Sequence, residues 1–139
     1  MFDHLIPKKV ELKTYVFQEL VGEPSVNVLS AGEENKPFFN AALRVHNEQD
    51  SKKKLSVGQL QMGRDRDRIL YVDHIIKGWC VPPLDSKGVA IPFSRDVCLE
   101  FLRAIPDDVF DGLRRYCSDT SNFRILPEPK VLAGNSPTG

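Results

Sequence analysis

Ser94-Arg95-Asp96-Val97-Cys98-Leu99-Glu100-Phe101-Leu102-Arg103-Ala104-Ile105-Pro106-Asp107-Asp108-Val109-Phe110-Asp111-Gly112-Leu113-Arg114-Arg115-Tyr116-Cys117 reads as two helices divided by a proline. Val97, Cys98, Phe101, Leu102 and Ile105 recur three and four positions apart, which gathers them on one face of a helix. Ser94 has the short oxygen-bearing side chain of an N-cap, and Asp96 stands where the helix dipole favours negative charge. Phe93 and Cys98 take the two positions of a hydrophobic staple. Pro106 cannot continue the first helix but suits the start of a second. That second helix carries Asp107 and Asp108 in its first turn, Arg114 and Arg115 near its last, and an apolar face of Val109, Phe110, Leu113, Tyr116 and Cys117. The spacing predicts helices at 95–104 and 107–117, packed as an αα-hairpin around Phe101, Leu102, Phe110 and Leu113.

Towards the N-terminus the period changes from helical to alternating. In Val10-Glu11-Leu12-Lys13-Thr14-Tyr15-Val16-Phe17 the apolar groups fall at positions 10, 12 and 16, with the Thr14 methyl between them, which assigns that face to the core. Gly22-Glu23-Pro24 supplies a turn, and Ser25-Val26-Asn27-Val28-Leu29 alternates again, so a β-hairpin is expected. Ser30 and Glu33 have capping-box spacing, but a helix begun there would hold Pro37 in its interior. A start near Asn35 places Pro37 in the first turn, and Phe38, Phe39, Ala42, Leu43 and His46 then share one face until about Asn47.

Between this helix and the decisive pair lie two less regular stretches. Lys52-Lys53-Lys54 is a compact positive cluster without interleaved aromatics, and reads as a solvated connector rather than a nucleic-acid site. Leu55 to Met62 is expected to be a short helix, and Arg64-Asp65-Arg66-Asp67-Arg68 an exposed helix start with local ion pairs. Ile69, Val72, Ile76 and Trp79 then form a stripe, with Ile75 beside it and Gly78 as the stop. Pro82-Pro83 excludes helix from the following loop, where Asp85-Ser86-Lys87-Gly88 has the composition of a tight turn. Its flanks, Trp79-Cys80-Val81 and Val89-Ala90-Ile91, are expected to pair as short strands. The fold class is therefore α+β: an N-terminal β-hairpin followed by a mainly helical domain of about four short helices, one domain over 1–127. Beyond it, 128–139 lacks periodicity, carries Pro129, Gly134, Pro137 and Gly139, and reads as a flexible tail.

The 139 residues balance nineteen basic against nineteen acidic side chains, which argues against a nucleic-acid or anionic-membrane partner. No apolar run approaches a bilayer span, and Met1-Phe2-Asp3-His4-Leu5 lacks the charged start and long apolar run of a signal peptide, so a cytoplasmic setting is expected. Cys80, Cys98 and Cys117 lie among apolar neighbours without paired spacing, and are expected to be reduced, buried and unliganded. His4, His46 and His74 are scattered, giving no metal-site spacing. Asp73-His74 is no dyad, because adjacent helical residues diverge by about 100°. Asp107 and Asp108 are explained by the helix start, and the glycines make no phosphate-binding loop. Neither an enzyme nor a cofactor is expected.

Three groups of residues carry a resemblance. They are Asn35 to Leu43 behind two strands; Arg66-Asp67-Arg68-Ile69-Leu70-Tyr71 leading into Lys77-Gly78-Trp79; and Asp85-Ser86-Lys87-Gly88-Val89-Ala90-Ile91-Pro92-Phe93-Ser94 followed by Phe101-Leu102 and Ile105-Pro106-Asp107. In this order, over residues 10 to 124, they resemble the tail-assembly chaperones of long-tailed bacteriophages. The pattern G-W…D-x-x-G-x-x-x-P-F-S before two short helices is its most specific part. The resemblance implies a non-catalytic protein of the host cytoplasm that binds the tape-measure protein, and tail-tube subunits, during assembly, with a homo-oligomer as a further possibility. The alternative is a structural virion component, such as a head–tail connector, tail-completion or capsid-associated protein. Candidate partner-binding residues are Phe38 and Phe39 on the helix face, Trp79 beside the proline loop, and Val131 and Leu132 in the tail. For Trp79 a second reading, a plug seating the loop on the helices, is favoured by its place on the Ile69–Val72–Ile76 stripe.

Overall fold

The computed structural model describes residues 1–49 and 57–125, with side chains placed for 1–46 and 60–125. In chain order its elements are β1 (Lys8–Lys9), β2 (Lys13–Val16), β3 (Ser25–Val28), α1 (Lys36–Gln49), α2 (Val57–His74), β4 (Ile76–Val81), α3 (Arg95–Ala104), α4 (Asp107–Ser118) and β5 (Arg124–Ile125). Short 3-10 turns occur at Asp3–Leu5 and Thr120–Phe123. The fold is α+β, with the expected hairpin: β2 and β3 pair antiparallel from Lys13 opposite Val28 to Val16 opposite Ser25. β4 then joins β3 antiparallel, giving the order β2-β3-β4, while β1 and β5 form a separate two-stranded ladder.

The hairpin's inward face is the reverse of the one expected. Val16 and Leu12 are exposed, whereas Phe17 is fully buried and Tyr15 packs against the core. A shift of one residue exchanges the two faces of a strand, so only one set is buried. Here the aromatic pair prevails, because two rings remove more apolar area from water than the aliphatic set does. Tyr15 and Phe17 meet edge to face, with centroids 5.1 Å apart. Trp79 on β4 and Tyr15 on β2 both stand opposite Val26.

α1 begins as read. The Asn35 carboxamide oxygen accepts from the Phe38 N–H at 3.3 Å, and its amide donates to the carbonyls of Ser30 (2.9 Å) and His74 (3.2 Å). One side chain therefore caps α1 and ties it to the end of α2. Instead of two short helices, α2 is a single element through Arg64–Arg68, and it stops at His74. Ile76 and Trp79 lie on β4 rather than on a helical stripe, and Gly78 is a strand residue opposite Asn27 rather than a helix stop. The β-branched pair Ile75-Ile76, followed by glycine and tryptophan, favours extended backbone, and β3 supplies the partner strand. Because β4 is taken by β3, Trp79–Val81 does not pair with Val89–Ile91; the loop closes on itself through a Leu84–Ala90 bridge. The Lys52–Lys54 connector lies outside the described residues.

The two helices nearest the C-terminus have the expected bounds to within a residue, and Ser94 caps α3 by accepting from the Val97 N–H at 3.2 Å. They are not a closely apposed αα-hairpin. Ile105 and Pro106 are both extended, and α3 lies along α2 instead of α4. Phe101, Leu102, Phe110 and Leu113 nevertheless join one core with Phe17, Val26, Val28, Ile75 and Phe123.

Candidate partner-binding surfaces

The loop after β4 is built by its own backbone. Asp85 accepts from the N–H groups of Lys87 (2.8 Å) and Val89 (2.9 Å) through one carboxylate oxygen, and its own N–H donates to the Val89 carbonyl at 2.8 Å. Gly88, at φ 81°, supplies the left-handed residue that such a turn requires. Farther back, the Ile91 N–H donates to the Pro83 carbonyl at 2.9 Å. With the loop's polar backbone thus engaged, its side chains face outward: Leu84 is 58% exposed and Val89 60%, and Val81 and Phe93 are exposed as well. None of these four is among the partner-binding candidates that the sequence offers. The available signal was apolar residues in a segment whose prolines and glycine exclude a helix to bury them.

Trp79 lies beneath this loop. Its ring meets Phe93 at 5.2 Å and Phe101 at 5.3 Å, both edge to face, and so links the loop to α3. Its indole N–H is buried without a partner among the described residues. Phe93, at the foot of the loop, thus covers one edge of the indole.

Phe38 belongs to a different place. It packs edge-on to Tyr71 at 5.7 Å, and lines an open groove of about 440 Å³ with Asp67, Tyr71, Asp111 and Arg114. Phe39, its neighbour on α1, is half-buried. Thus α1 and the Trp79 loop offer two separate surfaces. Val131 and Leu132 fall outside the described residues. A second groove, about 520 Å³, runs past Val10, Leu29, Pro37 and Phe123, with Lys9, Lys36 and Arg124 on its rim.

The charged run of α2 is not a set of local pairs. Arg64 bonds Asp111 (3.2 Å) and Asp107 (3.4 Å), Asp65 takes Arg103 (2.8 Å), Asp67 takes Arg114, and Arg68 takes Asp107 (2.6 Å). Within the helix itself Arg68 approaches Asp65 only at 3.7 Å. Asp73 is engaged by Arg95 at 2.8 Å rather than by His74. Burial raises the Asp67 carboxyl above its ordinary range, further than Arg114 pulls it down. A side-chain hydrogen bond from Arg103 holds Asp65 below that range.

Cys98 and Cys117 are buried free thiols, each pushed up to about 12 by burial. Cys80 is exposed, contrary to the expectation, because the strand that buries Trp79 turns its neighbour outward. Among the described residues no cluster of histidine, cysteine and carboxylates is arranged to hold a metal ion, and no helix is long and apolar enough to cross a membrane. Compared with protein-family models, curated proteins and solved structures, the chain matches none of them.

Proposed function

We propose that the chain is a non-enzymatic bacteriophage morphogenesis protein, similar to the tail-assembly chaperones, that holds the tape-measure protein in the host cytoplasm before it enters the tail. The observation that carries this reading is the loop over Trp79: a backbone-locked segment with Val81, Leu84, Val89 and Phe93 outward. A preformed apolar surface loses little conformational entropy when it binds, and it suits the apolar face of an amphipathic helix. Residues that carry the resemblance cooperate in building it. Trp79 seats the loop, Asp85 and Gly88 make its turn, Phe93 covers the indole, and Ser94 starts the helix below. The non-catalytic part of the reading is supported by the fate of the reactive groups. The α2 carboxylates are held by arginines, and the Cys98 and Cys117 thiols stay protonated at neutral pH.

The test is co-expression with the tape-measure protein of the same phage. The chain is expected to co-purify with it, and Leu84→Asp with Val89→Asp to weaken binding about tenfold or more while the circular dichroism spectrum and Tm stay unchanged. Unchanged binding by that variant overturns the assignment of the loop. Purified virions should lack the chain by mass spectrometry, whereas a fixed copy number there would favour the structural-component reading.

A further inference from the structure

The first six residues are ordered yet bury nothing. Hydrogen bonds from the Leu5 N–H to the Phe2 carbonyl (3.0 Å) and from the Ile6 N–H to the Asp3 carbonyl (3.1 Å) hold a 3-10 turn, none of whose residues is buried. Phe2 is 63% exposed, Leu5 65% and Ile6 67%, and Ile125 on β5 adds a further exposed apolar side chain. A backbone fixed so as to present its large apolar groups to water marks a surface that is covered in use.

The direction of β5 identifies what covers it. β5 is antiparallel to β1, with Lys9 opposite Arg124 and Lys8 opposite Ile125, and the ladder's other end is the Val10 N–H bonded to the Phe123 carbonyl at 2.8 Å. An antiparallel continuation of this ladder past Ile125 would run away from Val10 and back along Pro7, Ile6 and Leu5. Pro7 has no N–H, so the hydrogen-bonded ladder cannot extend far, and any further association must be through side chains. The segment that follows is Leu126-Pro127-Glu128-Pro129-Lys130-Val131-Leu132. Residues before proline favour extended backbone, and at ~3.3 Å per residue the six steps from Ile125 to Val131 reach about 20 Å, enough to span the turn. Leu126, Val131 and Leu132 supply apolar groups, and Glu128 is complementary to the exposed Lys8 and Lys9. The geometry points to residues 126–132 of the same chain as the cover of the Phe2–Leu5–Ile6 surface, docked in cis. This cover does not depend on the assembly reading. Where that reading holds, Val131 and Leu132 are occupied until a partner displaces them.

Hydrogen exchange read by mass spectrometry tests it on three proteins: the full chain, a chain ending at Ile125, and the full chain carrying Val131→Asp and Leu132→Asp. Amides of residues 2–8 are expected to exchange about fivefold or more faster in both altered proteins, with exchange across α3 and α4 unchanged. Rates within about twofold of the full chain in the double-aspartate protein overturn the proposal, as does protection of residues 2–8 that rises with protein concentration, which would make a second copy the cover. Should the shortened chain fail to fold, the double-aspartate protein decides alone, since its substitutions lie outside every contact described.

Discussion

Arg68 shows how much a single side chain can be asked to join. It is buried, yet it is charged, and an isolated charge in that position would be costly. Three groups offset the cost: its Nε donates to the Leu102 carbonyl at 3.1 Å, its terminal nitrogen bonds Asp107 at 2.6 Å, and its plane lies 5.2 Å from the centre of the Phe110 ring. The planar fork thus joins α2 to the end of α3, the start of α4 and the core at once. Asp107, which a helix start alone would explain, also serves as the acceptor for this fork. Arg68→Ala is expected to destabilise the protein by about 2–4 kcal/mol, since Asp107 is partly solvated while the Leu102 carbonyl loses its partner. Arg68→Lys should recover less than half of that, because an ammonium cannot span both acceptors in one plane. Urea unfolding midpoints measure both, and a near-wild-type Arg68→Lys would show that charge alone, not the fork, is what matters.

Among the elements, α2 is held to α3 and α4 by carboxylates whose environments differ in sign. Asp65 titrates low because Arg103 bonds its charged form, so its contribution is present above the ordinary carboxylate value and fades as pH falls through the folded one. Asp67 titrates high because burial opposes its charge; its contribution is full below the unfolded value and is lost as pH rises through the folded one. Compared with wild type, Asp65→Asn should therefore become more damaging between pH 3 and pH 7, whereas Asp67→Asn should become less so. Urea midpoints at the two pH values check this, and parallel behaviour of the two variants would refute it. α2 also marks where the sequence was legible and where it was not. Caps and period placed α3 and α4 to within a residue, because Ser94, Pro106 and the spaced apolar groups act locally. The Arg64–Arg68 partners were illegible, since Asp107, Asp111, Arg103 and Arg114 are brought near only by the tertiary fold. Ile69, Val72, Ile76 and Trp79 suit a helical stripe, but β3 offers Ile76 and Trp79 a strand to pair with, and long-range pairing overrides local period. The hairpin's inward face was missed for a similar reason, because what Phe17 meets, the ring of Phe101 at 5.3 Å, lies far along the chain. For the surface, aromatic residues are the candidates that composition offers, whereas the exposure of Leu84 and Val89 follows from the loop's closure on itself, which their residue types do not announce.

At the scale of the whole molecule, sheet and helices have no separate cores. Val26 and Val28 of β3, Leu102 of α3 and Phe110 and Leu113 of α4 belong to one buried cluster, and Trp79 packs on it from β4. The three-stranded sheet would leave Val26 and Val28 bare on the face that the helices cover, so it should persist only while they cover it. The helices in turn leave Leu102, Phe110 and Leu113 bare without the sheet and one another. Unfolding should accordingly be a single cooperative transition. The chain supplies its own probes, because its one tryptophan, Trp79, is in the sheet, whereas the far-ultraviolet dichroism is dominated by the helices. Fluorescence and dichroism should give coincident urea midpoints in the wild-type protein. Leu113→Ala removes a fully buried side chain from α4, and should cost about 3 kcal/mol. It should move both midpoints downward by the same amount, although Trp79 lies on another element. A fluorescence midpoint that stayed in place while the dichroism shifted would mean that the sheet folds independently of α4, and that the shared cluster does not couple them.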